Sequence, residues 1–309
     1  MKKIFITGAS GFLGKFLVSQ LKNKFKKNII YTPSSKECDL TKENSLIKFN
    51  KKFDTIFHLA VWTQAGDFCL KHPGEQWLIN QSINTNIIKW WKGYQPQAKL
   101  IFIGTSCSYS DSLTLVEKNY MKGEPHESLY TYAMTKRMLL QGAIAMEKQF
   151  KLKWLSVVPS TLYGTNYHND GRQMHFVFDL IKKIIRGKVY NEQVVLWGDG
   201  NQIRELIYVE DFVKYLILLD SKTSNKIINV GSGKGFSIKF LAQKISKYVG
   251  YDYKKIKFDT SKYVGAKSKV LNTKLINQIF PNFSKKLTNL DEGLSNVIEW
   301  FVKNRFYEK

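Results

Sequence analysis

Apolar residues in the first half of the chain follow two alternating periodicities. Short apolar runs predict five buried strands, at 4–6, 28–32, 54–60, 99–103 and 153–158. The stretches between them have apolar residues at helical spacing and predict helices at 12–21, 41–49, 74–91 and 128–150. Regular alternation of strand and helix predicts an α/β fold, a doubly wound parallel sheet of the Rossmann type with right-handed crossovers.

This alternation becomes irregular after residue 165. The pattern there predicts helices at 175–186 and 237–249, a short strand at 194–197, one more parallel strand at 227–231 and a closing helix from about 291. The chain shows no internal repeat and no low-complexity linker. We therefore expect a dinucleotide-binding Rossmann domain at 1–165, to which 203–232 returns. A smaller α/β substrate lobe would comprise 166–202 and 233–309.

A glycine-rich turn joins the first strand to the first helix. Its sequence is Thr7-Gly8-Ala9-Ser10-Gly11-Phe12-Leu13-Gly14. Glycines allow a tight turn and a close approach to a pyrophosphate, which the N-terminus of the helix attracts. A turn without a ligand is the alternative, but its place between a strand and a helix favours a dinucleotide. The expected cofactor contacts in this turn are Gly8, Ser10, Gly11, Phe12, Leu13 and Gly14.

The end of the second predicted strand bears on which dinucleotide binds. An acidic residue there would hold the ribose 2′-hydroxyl of NAD, but the chain has Ser34, Ser35 and Lys36 before Glu37. Two hydroxyls and a cation suit the extra phosphate of NADP, with a solvated loop as the alternative. NADP(H) is therefore favoured over NAD(H). Further cofactor contacts are expected from Asp39, Leu40, Leu59, Ala60, Tyr132, Lys136 and Pro159.

Tyr132 and Lys136 stand one turn apart on a predicted helix, so they share a face. A nearby ammonium favours the phenolate, and we expect Lys136 to lower the pKa of Tyr132. Such a phenol exchanges a proton with a carbonyl oxygen near neutral pH. Because Y-x-x-x-K is a weak motif alone, an ordinary surface helix is the alternative. The fourth strand ends in Gly104-Thr105-Ser106-Cys107, at the edge where open α/β sheets bind ligands.

Composition narrows the possible functions. A net charge of +23 and a pI near 9.7 would suit a nucleic-acid binder, but the lysines are dispersed in pairs without a basic block. We therefore expect no nucleic-acid partner. Three cysteines without a CxxC pair indicate a reducing compartment and no structural zinc. Since no apolar run suits a signal peptide or a transmembrane helix, we expect a cytoplasmic protein without a metal or a membrane partner.

Together these motifs resemble the extended short-chain dehydrogenases/reductases, a superfamily of enzymes that act on nucleotide sugars. The resemblance covers nearly the whole chain. Its further elements are Phe57-His58-Leu59-Ala60, Asn80, Leu162-Tyr163-Gly164, Arg204-Glu205, Val209-Glu210-Asp211 and Asn229-Val230-Gly231. His58 itself is expected to pack in the core. Within the superfamily the chain looks most like the GDP-L-fucose synthase family of 3,5-epimerase/4-reductases, because Cys107 and His175 match its proton-exchanging residues.

The resemblance implies roles for individual residues. Tyr132 would protonate the alkoxide at carbon four of the sugar, Thr105 would hydrogen-bond the ketone, and Lys136 would hold the nicotinamide ribose. Cys107 and His175 would exchange the protons at carbons three and five, which the ketone acidifies; a packed thiol and a polar helix start are the alternatives. The implied substrate contacts are Ser106, Cys107, Thr161, His175, Lys183, Trp197, Arg204 and Lys269, the last four at the diphosphate.

Departures from the family pattern concern the sugar side. The loop at 61–66 differs and Thr161 replaces an asparagine, so the hexose could be unusual and epimerisation could be lost. We expect an NADPH-dependent 4-reductase, with or without 3,5-epimerase activity. Its substrate would be a small molecule, a GDP-linked 4-keto-6-deoxy sugar for a bacterial-type surface glycan.

Three other expectations follow from the same comparison. A 4-epimerase or a dehydratase with tightly bound NAD is the alternative function, although the residues after Thr105 are Ser106 and Cys107 rather than the Asp-Glu pair of a dehydratase. A redox-sensing or RNA-binding protein that kept the nucleotide pocket is a non-enzymatic alternative. By analogy with the superfamily, we expect a homodimer that pairs the predicted helices at 74–91 and 128–150.

Overall fold

Alternating burial within the first strand sets the layers of the fold. The structure, a computed structural model, describes residues 1–24, 27–168, 170–262 and 264–308. In the strand Lys3–Thr7, Phe5 belongs to one hydrophobic core, and Ile4 and Ile6 belong to another. Because successive side chains of a strand point to opposite faces, a strand with this pattern needs cover on both sides.

The strands, in chain order, are β1 (Lys3–Thr7), β2 (Ile29–Tyr31), β3 (Thr55–His58), β4 (Lys99–Ile103), β5 (Trp154–Pro159), β6 (Thr161–Tyr163), β7 (Val195–Trp197), β8 (Ile203–Tyr208), β9 (Ile227–Val230), β10 (Gly235–Ser237), β11 (Lys257–Asp259) and β12 (Ser268–Lys269). Within the described residues, six of them form a parallel sheet in the order β2-β1-β3-β4-β5-β9. The strand order reverses beside β1, the point where such sheets bind ligands. The predicted doubly wound parallel sheet is confirmed, including its strand at 227–231.

The helices are α1 (Phe12–Lys24), α2 (Phe68–Lys71), α3 (Pro73–Tyr94), α4 (Tyr130–Phe150), α5 (Phe176–Tyr190), α6 (Val209–Lys222), α7 (Ile238–Val249), α8 (Lys274–Ile279) and α9 (Leu290–Lys303). α3 and α4 cover the Phe5 face of the sheet, where Trp90 and Leu140 are buried. α1 and α6 cover the opposite face with Leu17 and Phe212. Within the described ranges, no helix is long and apolar enough to cross a bilayer.

A smaller lobe surrounds a second sheet. In the described chain, β8 lies between β10 and β12 and also pairs with β6, while β7 pairs with β11. The core of this lobe is made by α5, α7 and α9. Its ring cluster reaches the glycine turn, because Phe12 meets Tyr167 and Phe178 edge-on at centroid distances of 5.1 and 5.8 Å. The start of α1 is therefore packed against the lobe.

The helix predicted at 41–49 is wrong. That stretch contains only a 3₁₀ turn at Glu43–Leu46. Thr41, the expected cap, instead donates its N–H and hydroxyl to the carboxylate of Asp39, at 3.0 and 2.7 Å. Leu46 is buried and Phe49 packs on Phe5 at 5.2 Å, so one short turn buries the apolar residues that suggested a helix.

Candidate active site

The glycine turn has the geometry of a dinucleotide cradle. Gly8 has φ +71°, and a Cβ there would lie 2.8 Å from the backbone nitrogen of Ala60. A Cβ at Gly14 would lie 2.2 Å from the carbonyl oxygen of Gly8. Glycine is therefore required at both positions, and the first N–H groups of α1 stay open to an anion. The residues present fit a bound pyrophosphate, although the ring of Phe12 packs into the smaller lobe and leaves only its backbone for the cofactor.

Beneath this turn lies a buried polar link to the neighbouring strand. The hydroxyl of Thr7 is 2.8 Å from Nδ1 of His58 and accepts a hydrogen bond from the N–H of Ala60 at 3.2 Å. Burial, and then the charge of Lys136, lowers the pKa of His58 to about 3, so its imidazole is neutral. His58 is a packed core residue, as predicted. Leu59 and Ala60 follow β3 on the floor of the cradle.

The turn at 34–37, which we expect to hold the extra phosphate of NADP, is exposed and is closed by hydrogen bonds between its own residues. The carboxylate of Glu37 accepts hydrogen bonds from the N–H and the hydroxyl of Ser34, both at 2.8 Å. These bonds lower the pKa of Glu37. Ser35 and Lys36 are exposed beside it. Further along, the carbonyl of Leu40 accepts from Asn86 at 2.9 Å, which ties this turn to α3.

Thr105, Tyr132 and Lys136 converge at the carboxyl end of β4. Thr105 is buried, and its N–H donates to the hydroxyl of Tyr120 at 3.2 Å. The Thr105 side chain is a hydrogen-bond partner of the Tyr132 hydroxyl. The ammonium of Lys136 lies 5.9 Å from the centre of the Tyr132 ring and donates to the carbonyl of Ile103 at 3.0 Å. The structure thus assembles the three groups from β4 and α4.

The direction expected for the pKa of Tyr132 is wrong. Burial raises the pKa of this phenol, and neighbouring Cys107 and Cys69 raise it further, while the bond with Thr105 acts against them. Burial also lowers the pKa of Lys136 to about 8. The sequence showed that Lys136 is near, but not that desolvation outweighs it or that its ammonium binds a carbonyl. Tyr132 is therefore a protonated phenol at neutral pH.

Cys107 lies two residues beyond Thr105 in a 3₁₀ turn, Ser106–Ser108. Its N–H donates to the Thr105 hydroxyl at 3.2 Å, and its free thiol is half-buried. The ammonium of Lys269, on β12, lies 3.4 Å from the Cys107 sulfur. Lys269 was expected at a diphosphate, and the structure brings it against this thiol.

His175 stands just before α5, near enough to Arg204 and Lys269 to be affected by their charges. Its ring remains accessible to solvent, and its backbone N–H donates to the hydroxyl of Tyr167 at 3.2 Å. Desolvation by the surrounding protein, followed by the charges of Arg204 and Lys269, lowers the pKa of its imidazole to about 4. One of these cations, Lys269, is also the one that contacts the Cys107 sulfur. A neutral imidazole is the form that can accept a proton.

The remaining implied substrate contacts are placed less centrally. Lys183 forms an ion pair with Asp179 one turn earlier, at 2.8 Å. Trp197 ends β7 and is 49% exposed. Thr161 opens β6, two residues after Pro159 ends β5. These positions and Ser106 remain predictions of substrate contact.

Sequence reasoning missed two residues that build the centre. The guanidinium of Arg137 is buried and donates to the carbonyl of Ser108 (3.0 and 2.6 Å) and to those of Gly123 and Lys122 (2.8 and 3.1 Å). It therefore fixes the loop after Thr105 onto α4. Cys69 of α2 is buried close enough to raise the pKa of Tyr132. The only available signal for Arg137 was its place beside Lys136, which does not distinguish a buried arginine from a solvated one.

The fold and the site together define a class of protein, the dinucleotide-binding α/β enzymes with a Tyr/Lys pair at the end of the fourth strand. Residues 4–231 match the model of the NAD dependent epimerase/dehydratase family. The chain belongs to that family, which confirms the resemblance drawn from its motifs.

Three comparisons place the chain more closely. It is 29% identical to a GDP-L-colitose synthase of Yersinia pseudotuberculosis, over 98% of this chain and 99% of that protein. It is 28% identical to a GDP-L-fucose synthase of Dictyostelium discoideum, over 98% and 96%. A crystal structure of a GDP-L-fucose synthetase from Naegleria fowleri bound to NADP superposes with a TM-score of 0.85 at 24% identity, over 98% and 95%. The last comparison confirms the fold.

Proposed function

We propose that this protein is an NADPH-dependent 4-reductase of a GDP-linked 4-keto-6-deoxy sugar. The observation that carries the proposal is the convergence of Thr105, Tyr132 and Lys136 at the end of β4, on the same carboxyl edge of the parallel sheet as the glycine turn after β1. Relatives named for the synthesis of GDP-L-fucose and GDP-L-colitose cover nearly the whole chain and supply the substrate class. The use of the product in a bacterial-type surface glycan stays a prediction.

NADPH suits the residues present. When bound, it supplies a hydride to the carbonyl carbon. The Gly8–Gly14 turn and the start of α1 would hold the pyrophosphate, and Ser35 and Lys36 would hold the additional phosphate. Support for NADP rather than NAD comes from the absence of an acidic residue before Glu37, whose carboxylate is occupied by Ser34. The NADP-bound structural neighbour has the same fold.

Proton delivery follows from the state of Tyr132. Because burial raises its pKa, the phenol holds its proton at neutral pH and can donate it to the oxygen at carbon four as negative charge develops there. Thr105 orients this hydroxyl and can donate to the same oxygen. Lys136, with a pKa near 8, remains mostly charged at neutral pH and favours the phenolate that is left.

Epimerisation before reduction is the second part of the proposal. The ketone acidifies the hydrogens at carbons three and five, so a base and an acid beside them suffice for exchange. The Cys107 thiol, with the Lys269 ammonium at 3.4 Å, and the neutral imidazole of His175 are the groups available. Cys107 donates its N–H to the Thr105 hydroxyl, and the charge of Lys269 acts on His175. Their coupling through Lys269 supports proton exchange over a purely structural role.

One experiment tests both parts. The protein is incubated with GDP-4-keto-6-deoxymannose in deuterated water, with and without NADPH. We expect loss of NADPH absorbance when it is present and deuterium at carbons three and five when it is absent. Oxidation without exchange would leave a plain 4-reductase. No oxidation of NADPH, together with NAD that copurifies and inversion at carbon four of a GDP-linked sugar that carries a hydroxyl there, would instead establish the 4-epimerase alternative.

The proposal includes a cytoplasmic homodimer. Six large apolar side chains on α3 and α4 are exposed, namely Trp77 (39%), Leu78 (68%), Tyr94 (41%), Tyr130 (41%), Met138 (40%) and Phe150 (39%). These helices pack side by side, so a second copy could cover this surface as a four-helix contact. Sedimentation velocity at micromolar concentration should give the mass of a dimer, and a monomer would contradict the assignment. The three free cysteines support a reducing compartment.

A further inference from the structure

The segment 264–271 carries Lys269 to the reaction pocket, yet little of it is regular structure. β12 contains only two residues, which pair with Ile203 and Arg204 of β8. Two ladder residues cannot by themselves fix the direction of a long ammonium side chain. Other contacts must therefore determine that Lys269 reaches the Cys107 sulfur.

Two adjacent side chains of β8 supply those contacts with opposite charges. The guanidinium of Arg204 donates to the carbonyls of Ala266 and Val264, at 2.8 and 3.1 Å. The carboxylate of Glu205 accepts from the N–H of Leu271, two residues after Lys269, at 2.6 Å. A cation thus binds carbonyls before Lys269 and an anion binds an N–H after it. Charge-assisted bonds of this kind are short and roughly twice as strong as neutral ones.

The other carboxylate oxygen of Glu205 connects this segment to the central sheet. It accepts from the N–H of Gly233 at 2.6 Å, in the turn that follows β9. Glu205 is 1% exposed, and a Cβ at Gly231 would lie 2.2 Å from the same oxygen, so glycine at position 231 leaves the room that this carboxylate occupies. One buried side chain therefore joins β8, the end of β9 and the strand that carries Lys269.

We propose that Glu205 is a positioning residue that holds Lys269 against Cys107 and toward the substrate. This inference rests on the proposed function for what Lys269 does in turnover, but the geometry between Glu205 and Lys269 does not depend on it. Glu205 touches neither the Cys107 sulfur nor the Tyr132 hydroxyl in the described contacts. Its effect passes through the backbone of Leu271.

A double-mutant cycle tests whether the two residues act together. The variants are Glu205→Gln, Lys269→Met and the double variant, with KM for the keto sugar and kcat as readouts. At pH 8, above the pKa of about 7 of the Glu205 carboxyl, both of its oxygens accept hydrogen bonds, and Glu205→Gln places an amide NH₂ against a backbone N–H. We therefore expect KM at this pH to rise about tenfold with a smaller change in kcat. In the Lys269→Met background, Glu205→Gln should raise KM no further. Equal, multiplying effects in both backgrounds would overturn the proposal.

A second readout does not need the sugar. The rate at which iodoacetamide alkylates Cys107 at pH 7 can be followed by peptide mass spectrometry. This rate depends on whether an ammonium lies beside the sulfur. We expect both single variants to slow alkylation about fivefold and the double variant to react like Lys269→Met alone. Should the protein reduce no keto sugar, the proposed function fails while this cycle still decides the inference. An unchanged alkylation rate in folded Glu205→Gln overturns the inference whatever the enzyme reduces.

A matched control separates positioning from general loss of stability. The carboxylate of Asp211 accepts from the N–H of Thr288 at 2.6 Å, the same kind of bond on a different segment. Asp211→Asn should lower the melting temperature and leave KM and Cys107 alkylation unchanged. If Glu205→Gln does not fold, Glu205→Asp keeps the charge and shortens the reach by one methylene. That variant should show the same non-additivity with Lys269→Met, and additivity there would overturn the proposal.

Discussion

The two halves of the site differ in what holds them. Thr105, Tyr132 and Lys136 lie at the end of β4 and on α4, inside the central layer, and Lys136 binds the carbonyl that ends the strand. Cys107, His175 and Lys269 come instead from a 3₁₀ turn, the residue before α5 and a two-residue strand. The half that we propose for reduction is built on long regular elements, and the half that we propose for proton exchange on short ones.

The difference teaches that the two activities should separate under mutation. A helix and a parallel strand fix the Tyr/Lys pair together with the fold itself, so this half survives as long as the protein folds. The Cys107 pocket depends on side chains such as Arg204 and Glu205, which tie short segments together. Single substitutions can therefore change it without disturbing the sheet.

Tyr132→Phe should have the largest effect. It removes the hydroxyl that donates the proton and keeps the ring, so turnover of NADPH should fall roughly 10³-fold. Fluorescence titration should show that NADPH still binds. Deuterium exchange at carbons three and five should persist, because that step uses the other half of the site. Unchanged turnover would remove Tyr132 from its role, and loss of exchange as well would show that the halves are not separable.

Cys107→Ser tests the other half of the site, which contains Cys107, His175 and Lys269. A hydroxyl is a far weaker acid than a thiol, so exchange at one of the two carbons should fall at least about 10²-fold. A keto sugar that already has the product configuration should still be reduced at close to the original rate. NMR of the recovered sugar measures exchange, and NADPH absorbance measures reduction. If the variant exchanges normally, Cys107 is a packed thiol and the epimerase part of the proposal fails.

The buried carboxyl of Glu205, which holds the segment that carries Lys269, should make the free energy of unfolding depend on pH. Burial raises the pKa of its carboxyl from 4.5 to about 7, so the folded protein holds this proton more tightly than the unfolded chain. Its contribution to stability is fully present below about pH 4.5 and is lost as the pH rises through about 7, by an amount on the order of 3 kcal/mol.

Glu205→Gln should remove that dependence. The difference in melting temperature between the wild type and the variant should shrink or change sign by a few degrees as the pH rises from 4.5 to 7.5. Differential scanning fluorimetry at closely spaced pH values measures it. Asp211→Asn serves as the control, since it should not flatten this slope. A constant difference across the range would show that Glu205 does not titrate in that window.

Much of this molecule followed from local pattern. Alternating apolar runs identified the strands of the central sheet, and the Gly8–Gly14 turn identified the cofactor cradle. The second sheet escaped prediction because three of its strands, β6, β10 and β12, have only two or three residues, and β8 alone does not define a sheet. The contact between Lys269 and Cys107 joins residues 162 positions apart, and spacing carries no information about it.

The direction of the pKa shift of Tyr132 was predicted wrongly for a different reason. Its sequence partner Lys136 was identified, but the net direction depends on how much protein surrounds the phenol. Arg137 was missed for a similar reason. Its guanidinium donates hydrogen bonds to backbone carbonyls, and no motif of side chains in the sequence indicates such bonds. Sequence patterns therefore identify which ionisable side chains form a site, whereas the charge of each side chain at a given pH depends on how deeply the protein buries it.

Lys183→Ala should have the smallest effect and compares two lysines that the family resemblance treats alike. Lys183 is paired with Asp179 on an exposed face of α5, an interaction worth about 0.3–0.5 kcal/mol, whereas Lys269 reaches the pocket. We expect KM for the nucleotide sugar to rise about twofold in Lys183→Ala, against at least about tenfold in Lys269→Met.

Asp179→Asn is the matched control for this comparison, because it breaks the same ion pair and keeps the lysine. If Lys183 makes no contact with the nucleotide, Asp179→Asn and Lys183→Ala should give equal and small changes in the affinity for GDP, measured by calorimetry. If Lys183 turns from Asp179 to the diphosphate, Asp179→Asn should tighten GDP binding and Lys183→Ala should weaken it as strongly as Lys269→Met does. That result would contradict the expected ranking and assign diphosphate binding to the start of the smaller lobe, where a helix rather than a short strand carries the cation.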